Sequence, residues 1–97
     1  MYALRSTRYH NSTMIDICDL QLIGTQIEEE GLKINFSKEY YQQEIIEESR
    51  ARELLKGCGI ANLVGKGIVE QALKMGMAKS ASVRMISGVP FLMIYKF

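Results

Sequence analysis

The residues whose types and spacing suggest chemistry lie first in a glycine-rich stretch, residues 57–67, with the sequence GCGIANLVGKG. Unpaired backbone N–H groups at a helix start bind phosphate or carboxylate, especially beside a lysine and glycines that allow close approach. The candidate anion-binding residues are Asn62, Gly65, Lys66 and Gly67. The same glycines would also suit a helix stop followed by a closely packed helix start. Both interpretations stand, and packing explains the glycines without a ligand.

The glycine-rich stretch departs from the known nucleotide-binding motif. A P-loop places four residues between its two glycines, followed by Lys and then by a Ser or Thr that holds magnesium. Here five residues separate Gly59 from Gly65, and Gly67 stands at the Ser/Thr position. The preceding segment has the apolar spacing of a helix, whereas a P-loop follows a buried strand. Nucleotide hydrolysis of the P-loop kind is therefore excluded.

Other groups that could carry catalysis are sparse. Cys18 and Cys58 lie far apart without metal-ligand spacing, and His10 is the only histidine in the sequence. We expect both thiols to be small buried hydrophobic groups. The glutamates pair neither with a histidine nor with a metal-binding partner. We therefore expect no catalytic residue, no metal site and no cofactor, and we favour a non-enzymatic role.

Charge is distributed unevenly along the chain, although the net charge is only +1. Residues 28–53 contain eight glutamates and four basic residues, whereas residues 54–97 contain six basic residues and one glutamate. Such a basic segment favours an anionic partner, or the pairing of basic and acidic faces in an oligomer. Charges that only keep a surface solvated give the same pattern. The candidate nucleic-acid contacts are Lys66, Lys74, Lys79 and Arg84.

Hydrophobic periodicity predicts an α+β fold, in which two principal helices pack on a mainly antiparallel sheet within a single domain, 1–97. The predicted order is β-β-β-β-α-α-β-β. Strands are predicted near 2–8, 13–18, 25–29, 32–36, 82–87 and 91–96, and helices at 47–57 and roughly 62–76. Asn62 is the predicted N-cap of the second helix, and Gly76 is its predicted stop.

The closing segment, 91–96, is apolar on both faces of the predicted strand. Strands of this kind are covered on both sides, by helices or by a partner chain. We therefore expect a central strand. A homo-oligomer that forms through this C-terminal strand is a further prediction from the same pattern.

Two short motifs carry a family resemblance: ANLVG at 61–65 and SGVP at 87–90. With them, the chain resembles, nearly end to end, a small archaeal family catalogued as domain of unknown function 424. Members of that family often carry a histidine directly after GVP, where this chain has Phe91. The resemblance implies an archaeal cytoplasmic protein and brings no established activity with it.

Location and function are predicted from these features together. No apolar run approaches the roughly 20 residues of a membrane span, and the N-terminus lacks an apolar signal core, so we expect a cytoplasmic protein without membrane contact. The preferred function is a non-enzymatic interaction module associated with RNA or translation, whose partner is RNA or a ribonucleoprotein. The alternative is a small-anion or phosphate-binding protein, or an enzyme, that uses the predicted helix start at 62–67.

Overall fold

The computed structural model describes residues 1–96, with Tyr9 described by its backbone alone. The strands are β1 (Tyr2–Tyr9), β2 (Ser12–Asp19), β3 (Gln26–Glu29), β4 (Leu32–Asn35), β5 (Glu44–Ile46), β6 (Ile60–Val64), β7 (Arg84–Ile86) and β8 (Val89–Tyr95). The α-helices are α1 (Lys38–Tyr41), α2 (Glu48–Gly57) and α3 (Lys66–Lys74), and short 3-10 turns lie at Leu20–Leu22 and Ser80–Ser82. The predicted α+β class, with helices on a mainly antiparallel sheet, is confirmed.

Among the described residues, six strands form one sheet in the order β5-β1-β2-β6-β8-β7, and β3 pairs with β4 in a separate hairpin. All neighbours in the larger sheet are antiparallel except β2 and β6, which run parallel. Parallel neighbours need a long crossover, which here contains β3, β4, α1, β5 and α2. The crossover brings the carboxyl ends of β2 and β6 together, at the point where α3 begins.

One face of the six-stranded sheet is covered by α2 and α3. Ala51 and Leu55 on α2, and Ile68 on α3, are fully buried against it. The core on this face consists of Tyr2, Leu4, Ile15, Ile17, Ile46, Ala51, Leu55, Cys58, Ala61, Leu63, Ile68, Val69, Ala72, Leu92 and Ile94. Burial of this apolar surface, at roughly 25 cal/mol per Å², is what holds the two helices to the sheet.

The opposite face is covered at one end by the β3–β4 hairpin and by α1, where Phe36 packs against Cys18 and Val64 and Tyr41 joins the same cluster. The rest of this face, which we call the open face, carries Arg5, Thr7, Met14, Asp16, Ile60, Asn62, Met93 and Tyr95. Met93 and Tyr95 are 54% and 62% exposed. The two faces of the sheet therefore differ: one is a closed core, and the other presents a surface.

The predicted helix over 62–76 is wrong in its first residues. Ile60–Val64 is β6, the strand that pairs with β2, and α3 begins only at Lys66. Asn62 therefore lies within a strand, and Gly65 holds the N-cap position. A buried strand followed at once by an amphipathic helix gives one continuous apolar pattern, so periodicity does not show the boundary. The predicted stop is confirmed, because Gly76 follows α3 with a φ of +73°.

Two short elements, α1 and β5, add to the predicted order. The Ser37 side chain caps α1 by accepting a hydrogen bond from the Tyr40 N–H at 3.2 Å. Strand β5 then pairs with β1 at the edge of the sheet. Elements of three or four residues are too short for either hydrophobic period to be recognised in the sequence.

Strand β8 lies inside the sheet, between β6 and β7, which confirms the predicted central position of the C-terminal strand. Leu92 and Ile94 are buried under the helices, whereas Met93 and Tyr95 on the open face are exposed. The strand is therefore covered on one face only. The homo-oligomer through β8 stays a prediction.

Candidate functional site: a basic groove and the open face of the sheet

The start of α3 is closed by a carboxylate of the chain itself. The Gly67 N–H donates to Asp19 Oδ2 at 2.8 Å, and the Ile68 N–H donates to Asp19 Oδ1 at 2.9 Å. Asp19 is the last residue of β2 and is buried. A carboxylate here satisfies two N-terminal amides and complements the positive end of the helix dipole. Two of the amides that could hold a phosphate are thus bonded internally.

The same carboxylate explains the glycines of this loop. A Cβ atom at Gly65 would lie 2.4 Å from Asp19 Cγ, and Gly65 has a φ of +114°. A Cβ atom at Gly67 would lie 3.1 Å from Asp19 Oδ1. Close approach and backbone conformation both favour glycine at position 65. These contacts support the packing interpretation of the glycine-rich stretch.

The predicted anion-binding residues lie in two places. Gly65, Lys66 and Gly67 lie together at the start of α3, where Lys66 is exposed beside a cleft of about 260 Å³. Asn62 lies on the open face of the sheet, where its side chain bonds to Asp16. Anion binding at the start of α3 stays a prediction, and it would require the Asp19 carboxylate to release its two amides.

A groove of about 430 Å³ lies where the C-terminal ends of α2, α3 and β8 meet. It is lined by Arg52, Lys56, Met75, Met77, Ile94, Tyr95 and Lys96. We call it the basic groove, because three of its lining side chains are cationic and none is acidic.

Helix α2 positions the cations of the basic groove. Arg52 and Lys56 lie four residues apart, on the same side of the helix, and both are exposed. Ala51 and Leu55 are buried on its other side and anchor it to the sheet. The Nζ of Lys96 donates to the Leu55 carbonyl oxygen in the last turn of α2. This contact satisfies a C-terminal carbonyl and places a cation at the negative end of the helix.

The two cysteines are buried and free, as predicted. Burial, followed by the negative charge of Asp19, raises the pKa of the Cys18 thiol to about 12. Burial also raises the pKa of Cys58, although the charge of Lys96 and a backbone hydrogen bond oppose that shift. Both thiols are therefore protonated at neutral pH, whereas nucleophilic chemistry requires the thiolate.

A polar row crosses the open face of the sheet. The strand register places Arg5, Asp16, Asn62 and Met93 side by side on β1, β2, β6 and β8. The Asn62 Nδ2 donates to Asp16 Oδ1 at 3.2 Å, whereas Asp16 Oδ2 and Asn62 Oδ1 are buried and have no hydrogen-bond partner among the described residues. The Arg5 guanidinium lies 4.1 Å from the centre of the Tyr40 ring, a cation–π contact.

The carboxyl group of Asp16 is held in an unfavourable place for a charge, because only 5% of the residue is exposed. Burial raises the pKa of Asp16 above its ordinary value of 3.8, although the Asn62 hydrogen bond and the Arg5 charge act in the opposite direction. A buried acceptor without a partner costs about 1–3 kcal/mol. Stability alone therefore does not explain the polar pair of Asp16 and Asn62.

A second groove, of about 340 Å³, opens beside the polar row. It is lined by Asn62, Leu63, Val64, Ser82, Arg84, Ile86, Phe91, Leu92 and Met93. We call it the sheet groove. Its lining combines one cation, one amide, one hydroxyl and one aromatic ring, and it includes no acidic side chain.

The predicted nucleic-acid contacts are spread over the molecule. Lys66 and Lys74 lie at the two ends of α3, and Lys79 precedes the second 3-10 turn. Lys74 forms an exposed ion pair with Glu70 at 2.8 Å. Of the four predicted residues, Arg84 alone lines either of the two grooves.

The three cations that the fold brings together in the basic groove are not among the contacts predicted from the sequence. Arg52 lies in the acidic segment 28–53, so a comparison of net charge between segments does not indicate it as a basic contact. The spacing of Arg52 and Lys56 on a predicted helix is a signal that could have found two of them. Their meeting with Lys96 depends on tertiary packing and has no local signal in the sequence.

Fold and grooves together define a class of protein: an α+β domain with helices on one face of a mixed sheet and two concave surfaces free of acidic side chains. Within residues 1–96, no cluster of histidine, cysteine and acidic side chains is arranged to hold a metal ion. Over the same range, no helix is both long and apolar enough to cross a membrane.

The chain matches the family described as "Protein of unknown function (DUF424)" over residues 7–97, and it belongs to that family. A crystal structure of an uncharacterized conserved protein from Methanopyrus kandleri is similar, with a TM-score of 0.82 and 18% sequence identity. The similarity covers 97% of this chain and 90% of that chain, and at this identity it shows a shared fold. A search of curated proteins finds no match.

Proposed function

We propose that this domain is a non-enzymatic, cytoplasmic binding module for single-stranded RNA, with the basic groove as its principal contact. The supporting observation is that Arg52, Lys56 and Lys96 meet beside an exposed tyrosine in a groove without acidic lining. Proteins that bind single strands combine a positively charged groove, which follows the phosphate backbone, with aromatic side chains on which bases stack. The basic groove has both components.

Each part of the basic groove has a role in this proposal. Arg52 and Lys56, one turn apart on α2, face phosphates of the strand, and Lys96 adds a third charge. Tyr95 lies at the edge of the groove with its side chain on the open face, and its exposed ring offers a surface for a base that follows the groove. Met75 and Met77 supply an adaptable apolar wall, which suits contact with different bases.

The distribution of acidic residues also supports the proposal. Exposed Glu28 and Glu29 lie on the β3–β4 hairpin, and Glu29 Oε1 accepts a hydrogen bond from the Ser87 N–H at 2.8 Å. The hairpin covers the Phe91 end of the sheet face, four residues along β8 from Tyr95. A polyanion is therefore repelled from the hairpin and directed toward the basic groove.

A fluorescence-anisotropy titration of a labelled, mixed-sequence oligoribonucleotide at two salt concentrations tests the proposal. We expect binding at low salt that weakens as salt rises, because phosphate contacts release counterions. The double substitution Arg52→Ala and Lys56→Ala should weaken binding. It should also reduce the slope of log affinity against log salt by about 1.4, which corresponds to two lost contacts on a single strand.

The matched control is Lys33→Ala, which removes an exposed lysine from the hairpin, away from the basic groove. Tyr95→Leu keeps an apolar side chain but removes the stacking ring, and it should cost about 1–3 kcal/mol of binding free energy. Binding that ignores salt, or an equal loss in the Lys33 control, would contradict the proposal. Single alanine variants decide separately whether the sequence-predicted contacts belong to the site: Lys66, Lys74, Lys79 and Arg84.

A further inference from the structure

The polar pair on the open face has hydrogen-bonding capacity that the protein itself does not use. Only 5% of Asp16 is exposed, and within the part of the chain that the structure describes its Oδ2 has no hydrogen-bond partner. Asn62 Oδ1, in the side chain bonded to Asp16, has no partner either. Asn62 also lines the sheet groove. The unpartnered acceptor of Asn62 thus lies at the side of a groove, and Asp16 lies behind it, outside the groove lining.

We infer that the sheet groove is a subsite for a nucleobase that carries an amino group, which donates to the free Oδ1 of Asn62. This inference rests on the RNA binding proposed above and adds base selectivity to it. Single-stranded bases are recognised through hydrogen bonds on their exposed edges, together with stacking. Adenine and cytosine present an amino donor, whereas uracil presents carbonyl acceptors on both sides of its one ring N–H.

Asp16 determines which end of the Asn62 amide remains free. Because the Nδ2 of Asn62 is used by Asp16 Oδ1 at 3.2 Å, the amide presents its oxygen as the unpartnered atom. Asp16 is thus a positioning residue for Asn62, and it does not itself line the groove. An amino group of a base can donate to this Asn62 oxygen, while a carbonyl oxygen of uracil would face it unfavourably.

The rest of the sheet groove provides the other contacts that a nucleotide needs. Phe91 offers an aromatic surface, while Arg84 and Ser82 provide a cation and a hydroxyl for phosphate or sugar. Met93 lies next to Asn62 across the β6–β8 pair and is exposed and flexible. Since the Asn62 oxygen is buried in the free protein, the incoming base must displace a neighbouring side chain. We expect the displaced side chain to be that of Met93.

Strand β8 connects this subsite to the basic groove. Met93 lines the sheet groove and Tyr95 lines the basic groove, two residues apart on the same face of β8. This spacing corresponds to about 7 Å along a strand. One RNA strand can therefore stack a base on Tyr95 and place a neighbouring base beside Asn62.

The experiment compares labelled oligo(A), oligo(C) and oligo(U) of equal length at one low salt concentration. We expect wild-type protein to bind oligo(A) and oligo(C) about two- to tenfold more tightly than oligo(U), the ratio that one hydrogen bond supports. Asn62→Ala should abolish this ratio without weakening the binding of oligo(U). Asp16→Asn, which replaces an acceptor oxygen by a donor amide, should shift the ratio toward oligo(U). Thr7→Ala, on the same face, is the control and should keep the wild-type ratio.

The outcomes separate this inference from the proposed function. Equal binding of the three oligomers by the wild type, or a ratio that survives Asn62→Ala, overturns the inference and leaves RNA binding intact. Failure to bind any oligomer overturns the proposed function and the inference with it. Undiminished oligo(U) affinity shows that a variant is folded. If Asn62→Ala no longer binds oligo(U), the comparison is repeated with Asn62→Ser, which also lacks the amide oxygen.

Discussion

Asp19 constrains its surroundings through one carboxylate. It occupies the space that a side chain at position 65 would need, since a Cβ atom there would lie 2.4 Å from its Cγ. Gly65 also has a φ of +114°, outside the range that other residues adopt readily. The fold by itself is therefore sufficient to require glycine at this position.

Gly65→Ala should be severely destabilising. We expect the free energy of unfolding, measured by urea denaturation, to fall by about 3 kcal/mol or more, because both the Asp19 carboxylate and the backbone must shift. Gly24→Ala is the matched control, since Gly24 has a φ of +88° but nothing within 4 Å of a Cβ atom. Its backbone strain alone should cost about 1–2 kcal/mol. Equal losses in the two variants would show that the close approach of Asp19 does not matter.

Asp16 should give the protein an unusual pH dependence. Burial raises its pKa above 3.8 in the folded state, so the folded protein binds more protons than the unfolded chain between 3.8 and the raised value. The contribution of Asp16 to stability is therefore fully present below pH 3.8 and is lost as pH rises through the raised pKa. Relative to Asp16→Asn, the wild type should lose unfolding free energy from pH 4 to pH 7 in urea titrations. A constant difference between the two proteins would contradict this.

At the level of secondary-structure elements, Asp19 joins the end of β2 to the start of α3. Asp19→Ala removes both hydrogen bonds to the first turn of α3, to Gly67 and Ile68. We expect a loss of about 1–3 kcal/mol in unfolding free energy, the scale of a lost helix cap and of bonds to a charged acceptor. Asp19→Asn retains one acceptor oxygen and should lose less. Equal stability of all three proteins would show that the cap contributes nothing.

The same variant tests anion binding at the start of α3. In Asp19→Ala the amides of Gly67 and Ile68 are free beside Lys66, an arrangement that attracts phosphate. Phosphate should therefore raise the melting temperature of Asp19→Ala more than that of the wild type, in a thermal-shift titration against chloride at equal ionic strength. Adding Lys66→Ala should reduce the gain. An identical phosphate response in the wild type and Asp19→Ala would contradict anion binding at these amides.

Helices and strands with a clear hydrophobic period were predictable from the sequence, and those without such a period were not. Helix α2 follows from the helical spacing of Ala51 and Leu55, and the hairpin of β1 and β2 follows from a turn between two extended runs. The apolar run at 60–64 continues without a break into the stripe of α3, so the sequence does not separate strand from helix there. Gly65 marks that boundary, but its positive φ is a property of the fold.

The candidate site was less predictable than the fold class, because it depends on contacts between distant parts of the chain. Asp16 and Asn62 are 46 positions apart and meet only through the parallel pairing of β2 and β6. Lys96 and Leu55, which meet at the basic groove, are 41 positions apart. No local pattern encodes such pairings, whereas amphipathic periods of single elements determine the fold class.

At the scale of the whole molecule, the six-stranded sheet has a buried core on one face and a partly exposed surface on the other. Its helix face is a closed core, while its other face is covered at one end by the hairpin and by α1, and Asn62 and Met93 line a groove on it. The hairpin thus limits how much of this face is accessible. Its attachment depends on Phe36, whose ring lies 6.0 Å from the Tyr41 ring and 6.2 Å from the Phe91 ring.

Phe36→Ala should loosen the hairpin while the sheet remains folded. Because Phe36 is fully buried, we expect a loss of about 3–5 kcal/mol in unfolding free energy. In hydrogen exchange, amides of β3 and β4 should lose protection before those of β2 and β6, since over residues 1–96 the hairpin shares no strand pairing with the larger sheet. Leu32→Ala, on the same hairpin but 46% exposed, should change stability by less than about 0.5 kcal/mol. Uniform loss of protection across both sheets in Phe36→Ala would instead show that hairpin and sheet unfold as one unit, and that the hairpin does not control access to the open face independently.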